Sequence, residues 1–275
     1  MSQSFDFTPA GAPFDQYKTL SVSSTQNVWH VQLQRPEKRN ALSDSLIAEL
    51  QHCFSQMPES IRAVVLSGQG KHFCAGLDLS ELSSHGAAGG VAHSRMWHAA
   101  FDQIQYGRAP VVAALNGAVI GGGLELASAC HLRVAEESAF FALPEGQRGL
   151  FLGGGGSVRI SRLIGVSRVT DLMLTGRRFD AAQAESVGLV NYQVEPDQGL
   201  ETAFAMAHRI AKNSPMSNYA VMHALPRIAE QGPNEGLFTE SLMAAVAQSD
   251  DDAKARMQAF LDGRAEKVKP AGEDH

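Results

Sequence analysis

Cysteine is scarce in this sequence: Cys53, Cys74 and Cys130 are the only three in 275 residues. An odd, widely spaced set makes neither a disulfide framework nor a Cys-x-x-Cys zinc site, and the ten histidines include no His-Glu-x-x-His. The expectation is a reduced, cytoplasmic compartment and no structural metal. Basic charge is also short. Lys and Arg number 23 against 29 Asp and Glu, for a formal net charge of −6. The positive excess of a general nucleic-acid or anionic-membrane binder is therefore missing. The first residues, MSQSFDFTPAGAPFDQYKT, lack a basic segment followed by an apolar core, so no signal peptide is expected. The apolar stretch 111–129 is interrupted by Gly117 and Gly121–Gly123 and carries Glu125, which argues against a membrane span.

What is present is ordinary globular composition, 44% hydrophobic and 19% charged, enough for one large domain or one with an appendage. Residues 18–35 read as strands. In RPEKRNALSDSLIAELQHCF, Ser43 is an N-cap candidate, and Leu46, Ile47, Leu50 and Phe54 recur at helical spacing. IRAVVLSG reads as a buried strand, SELSSHGAAGG (80–90) as a loop and VAHSRMWHAAFDQI as an amphipathic helix. APVVAALNGAVIGG reads as one more buried strand, with a helix starting at GLELASACHL. AFFALPEGQRGLFLGGGG gives a strand, a turn and a glycine run, and from 166 onward the pattern is mostly helical. Strands alternating with helices predict an α/β core with largely parallel strands. The expected division is an N-terminal extension (1–17), a core (18–200) and a helical C-terminal region (201–275) forming an appended layer.

The two glycine runs match neither the dinucleotide nor the P-loop phosphate motif, and no Gly-x-Ser-x-Gly elbow is found. One reading is that glycine only permits close packing. Another joins glycine to charge. Gly121–Gly123 opens a helix whose N–H groups lack partners, and Glu125 sits on its first turn. Glu145, in LPEGQRG, is a second carboxylate in apolar surroundings. Backbone donors beside two carboxylates are the parts needed to polarise a carbonyl and move protons.

HFCAGLDL, NGAVIGGGLELASACHLRVAEESAFFALPE and TGRRFDAAQAESVGLVNYQV, in that order, resemble the crotonase superfamily, and within it the enoyl-CoA hydratases. The resemblance covers roughly residues 18–268. It implies a spiral of ββα repeats with a helical C-terminal region that builds trimers or hexamers. It implies an acyl-CoA thioester as substrate, with coenzyme A entering as part of that substrate and no separate cofactor. Glu125 and Glu145 would flank the double bond, and the N–H groups of Leu77 and Gly122 would form the oxyanion hole. Arg35, Lys38, Arg39, Ala75, Gly76, Asp78, Arg264 and Lys267 would meet coenzyme A; Met96, Trp97 and Gly153 would line the acyl pocket. The same scaffold hosts isomerases, decarboxylases, aromatic hydratase-lyases and RNA-binding relatives, which stay open as alternatives. Departures are Leu152, where many hydratases have proline, and the polar pair Gln147 and Arg148. These two are expected to face away from the substrate; facing inward, they would imply a polar acyl group.

Overall fold

The computed structural model describes residues 5–81 and 86–264. The described residues fall into two compact units, one running to Lys212 and the other starting at Asn213.

The first unit is built on ten strands: β1 (Thr8–Pro9), β2 (Leu20–Thr25), β3 (Val28–Leu33), β4 (Ala63–Gly68), β5 (Val111–Leu115), β6 (Ala118–Ile120), β7 (Leu132–Glu136), β8 (Phe140–Ala142), β9 (Arg178–Asp180) and β10 (Tyr192–Val194). Its helices are α1 (Asp44–Ser55), α2 (Ala87–Gln105), α3 (Gly122–Ala129), α4 (Gly156–Ile164), α5 (Val166–Thr175), α6 (Ala181–Ser186) and α7 (Gly199–Ala211). Among the described residues a seven-stranded sheet runs β1-β2-β3-β4-β5-β7-β10, parallel from β3 onward, beside a smaller sheet β6-β8-β9.

The chain spirals between the two sheets. β5 lies in the large sheet, β6 in the small one, and α3 follows; β7, β8 and then α4 repeat the pattern. The stretch 110–120 is thus two strands, not the one expected. The chain turns at Asn116 and Gly117, where φ is +53°, and the Asn116 side chain fixes the turn by donating to Gly70 O at 2.9 Å. An unbroken apolar run does not reveal that its two halves join different sheets.

β4 and β5 are apolar without alternation because both faces of the sheet are covered. Val64, Leu66, Val111 and Leu115 face the main core with α1, α2 and α3, while Ala63, Val65 and Val112 meet Phe204 and Ala207 of α7. The helix α7, expected in the C-terminal layer, therefore completes this unit. Ser43 caps α1 as expected, accepting from Leu46 N at 3.2 Å. Of the expected loop 80–90, residues 82–85 lie outside the described residues. Residues 87–90 already belong to α2, which is anchored further along by buried Trp97, Phe101 and Ile104.

The second unit contains α8 (Pro215–Tyr219), a π-turn at Ala220–Ala224, α9 (Leu225–Ile228), α10 (Pro233–Ser249) and α11 (Asp251–Leu261). Its longest helix, α10, exposes Leu237, Phe238 and Leu242. No helix among the described residues is long and apolar enough to cross a membrane.

Candidate active site

One wall of the site is backbone. The segment after β4 bridges Leu42, whose N–H donates to Gly76 O at 2.8 Å and whose carbonyl accepts from Asp78 N at 2.9 Å. In that pairing the intervening Leu77 turns its own N–H away from Leu42. Gly76, at φ +94°, is pressed against the start of α3; a Cβ there would stand 2.7 Å from Ile120 O and 3.4 Å from Gly122 N. Gly122 is the first residue of α3, so its N–H has no intrahelical partner. Neither N–H meets an acceptor among the described residues, and both residues line one cavity of about 320 Å³.

The same cavity holds both glutamates. Glu125, on the first turn of α3, is only 3% exposed. Its Oε1 accepts from Gly154 N at 2.8 Å and Gly156 N at 2.9 Å. The second glycine run is thus a cradle for a carboxylate. A Cβ at Gly156 would stand 2.7 Å from Glu125 Cγ, so a larger residue there cannot bring its N–H this close. Burial pushes the Glu125 carboxyl up, opposed by the N–H groups of Gly156 and Gly154 and by Arg159. Arg159 holds the cradle in turn. Its Nη1 donates to Gly154 O at 3.0 Å, Nη2 pairs with Asp102 at 2.7 Å, and Nε donates to Gln105 Oε1 at 2.6 Å.

Glu145 leaves β8 at the head of a short 3-10 turn, Gly146–Arg148. Its Oε1 packs on Gly121, where a Cβ would stand 2.6 Å away. Its Oε2 is buried without a partner among the described residues. Burial raises this carboxyl to about 7; its own N–H opposes the rise, the charge of Glu125 adds to it and Arg148 opposes it. Burial thus raises both carboxyls, but Glu125 is met by N–H groups of the second glycine run, whereas one oxygen of Glu145 has no partner among the described residues.

Of the other sequence-predicted residues, Ala75, Gly76, Trp97 and Gly153 line the cavity. Met96 does not; it is half-buried against the main core. Arg35 is engaged within the protein, paired with buried Asp78 at 2.7 Å and donating to Ala41 O at 2.5 Å. Lys38 and Arg39 are exposed next to this loop, and Arg39 O accepts from Ala75 N at 2.9 Å. Arg264 is exposed in the second unit and paired with Asp262 at 2.6 Å, and Lys267 lies outside the described residues. Sequence reasoning missed the Gly154–Gly156 donors, Arg159, and the pair His93–Asp44, joined at 2.9 Å on the cavity wall. The glycine run is the one visible signal for the cradle, and by itself it reads equally as close packing.

Comparison with known proteins identifies the family. A family model described as enoyl-CoA hydratase/isomerase matches residues 23–272. A crystal structure from Rhodopseudomonas palustris CGA009 is 56% identical, with a TM-score of 0.88, covering 91% of this chain and 97% of that one. The enoyl-CoA hydratase of Bacillus anthracis is 34% identical, with a TM-score of 0.85, over 92% of this chain and 99% of its own. The short-chain-enoyl-CoA hydratase of Clostridium acetobutylicum is 32% identical over 85% of this chain and 91% of its length. With the family match spanning nearly the whole chain and the two-sheet spiral shared with solved structures, the protein belongs to the enoyl-CoA hydratase/isomerase family, within the crotonase superfamily.

Proposed function

We propose that the protein hydrates 2-enoyl-CoA thioesters, adding water across the double bond. The observation that carries this reading is the pairing of Glu125, met by two N–H groups, and Glu145, with one oxygen unpartnered among the described residues, in one cavity beside the N–H groups of Leu77 and Gly122. The thioester oxygen sits between these two N–H groups, which stabilise the negative charge it gains during reaction. Glu125, whose ionised form is stabilised by the Gly154 and Gly156 N–H groups against the upward push of burial, acts as the base and takes a proton from water as the water oxygen bonds to Cβ. The π electrons move toward the thioester carbonyl, giving an enolate. Glu145, whose carboxyl burial raises to about 7, delivers its proton to Cα. Proton exchange with solvent then restores Glu125 to its ionised and Glu145 to its protonated form. Coenzyme A arrives and leaves as part of the thioester, so the reading requires no separate cofactor.

Hydration removes the conjugation between the double bond and the thioester, so ultraviolet absorbance reports it directly. The expected result is enzyme-dependent loss of that absorbance with a 2-enoyl-CoA such as crotonyl-CoA. Migration of the double bond without water uptake would instead favour an isomerase.

A further inference from the structure

Gln147 and Arg148 follow Glu145 directly, and the fold separates them. Gln147 turns away, its Nε2 donating to Thr175 O at 3.5 Å. Arg148 lines the cavity with Glu145, contrary to the expectation that both face outward. The reason lies in the 3-10 turn Gly146–Arg148, closed by Arg148 N donating to Glu145 O at 3.0 Å. With three residues per turn, positions 145 and 148 fall on the same side, and one turn advances about 6 Å.

Arg148 is exposed at the cavity and acts on the Glu145 carboxyl through its charge, drawing it down against burial. It makes no salt bridge with any described residue. The acidic groups of the wall have interactions of their own or a carboxyl raised by burial. Asp44 pairs with His93, Glu125 is held by two N–H groups, and burial raises the Glu145 carboxyl to about 7. The same cavity is also lined by the apolar side chains of Leu79, Leu150 and Phe151. A guanidinium in such a wall presents a planar fork that matches a carboxylate with two parallel hydrogen bonds.

We propose that Arg148 makes this site selective for 2-enoyl-CoA substrates whose acyl chain ends in a carboxylate. The reacting carbons sit at Glu145, so a carboxylate carried a few carbons beyond Cβ falls within reach of the guanidinium one turn away. The inference rests on the hydratase reading and deepens it. A charge-assisted hydrogen bond of this kind contributes ~1.5–3 kcal/mol, which converts to roughly a 10–100-fold preference.

The test compares kcat/KM for 2-hexenoyl-CoA and for the six-carbon 2-enoyl-CoA bearing a terminal carboxylate, at low and high ionic strength. The wild-type enzyme is expected to favour the carboxylated thioester by roughly 10–100-fold, and less at high salt. Arg148→Gln is expected to collapse that ratio, chiefly through KM of the carboxylated substrate. A ratio is unaffected by the fraction of variant that folds, and the wild-type preference stands as a readout even if the variant does not fold. Hydration of 2-hexenoyl-CoA without preference for the carboxylate would overturn the inference and leave the hydratase reading intact. Equal loss on both thioesters would also overturn it, placing Arg148 on coenzyme A or on Glu145. Hydration of neither thioester would overturn both readings together.

Discussion

Two backbone N–H groups meet one oxygen of Glu125, while Oε2 of Glu145 is buried without a partner among the described residues. Burial raises both carboxyls, and donors stabilise a charged carboxylate, so the N–H groups on Glu125 suit it to the base end of a proton transfer and leave the acid end to Glu145. Because their charges interact, the pair titrates as a unit and its apparent pKa values belong to both. Hydration needs Glu145 protonated. With its carboxyl raised to about 7, kcat/KM for hydration is expected to fall as pH rises through about 7, where the proton for Cα is lost. A pH–rate profile from 5 to about 9 checks this, and a rate flat across neutrality would contradict the assignment of Glu145 as the acid. At this scale the sequence was informative. Two carboxylates in apolar segments stood out, but their different surroundings did not, because the groups that create them lie 29 and 31 residues away from Glu125.

At the scale of elements, the site is the junction of two helix starts. The first turn of α3 supplies the Gly122 N–H and Glu125, and the loop entering α4 supplies the cradle. Arg159, on α4, binds that loop to Asp102 and Gln105 of α2, so it positions Glu125 without touching substrate. Arg159→Lys keeps a positive charge but loses the fork that reaches three acceptors at once. A shift of about 1 Å at a catalytic group can cost ~10²-fold, so kcat is expected to fall by about that factor with KM little changed. Steady-state kinetics alongside a thermal melt checks it. A well-folded variant with kcat near wild type would remove Arg159 from the positioning role. The sequence showed the glycines of this loop but not their purpose, because a glycine run alone does not distinguish a phosphate from a carboxylate as the group approached. Where a strand pairs is likewise non-local: the helical face of α1 was legible in Leu46, Ile47, Leu50 and Phe54, whereas the break at Asn116–Gly117 followed from the second sheet.

For the whole molecule, alternating strands and helices were enough to predict the parallel core, and the doubly covered sheet explains why β4 and β5 read as solid apolar runs. The fold then brings Leu77, Gly122, Glu125 and Glu145, spread over 69 positions of the chain, to one cavity. That convergence is the basis of the hydratase reading, and substituting the two glutamates tests it most directly. Glu125→Gln and Glu145→Gln keep shape and hydrogen-bonding capacity but remove the proton-transfer function. Turnover of crotonyl-CoA, followed by loss of enoyl absorbance, is measured beside calorimetric binding of the saturated thioester butyryl-CoA. Each variant is expected to lose roughly 10²–10⁴-fold in turnover, the scale of general acid–base catalysis, while still binding the thioester. A folded Glu125→Gln enzyme that hydrates at near wild-type rate would contradict the account, leaving Glu145 to work alone.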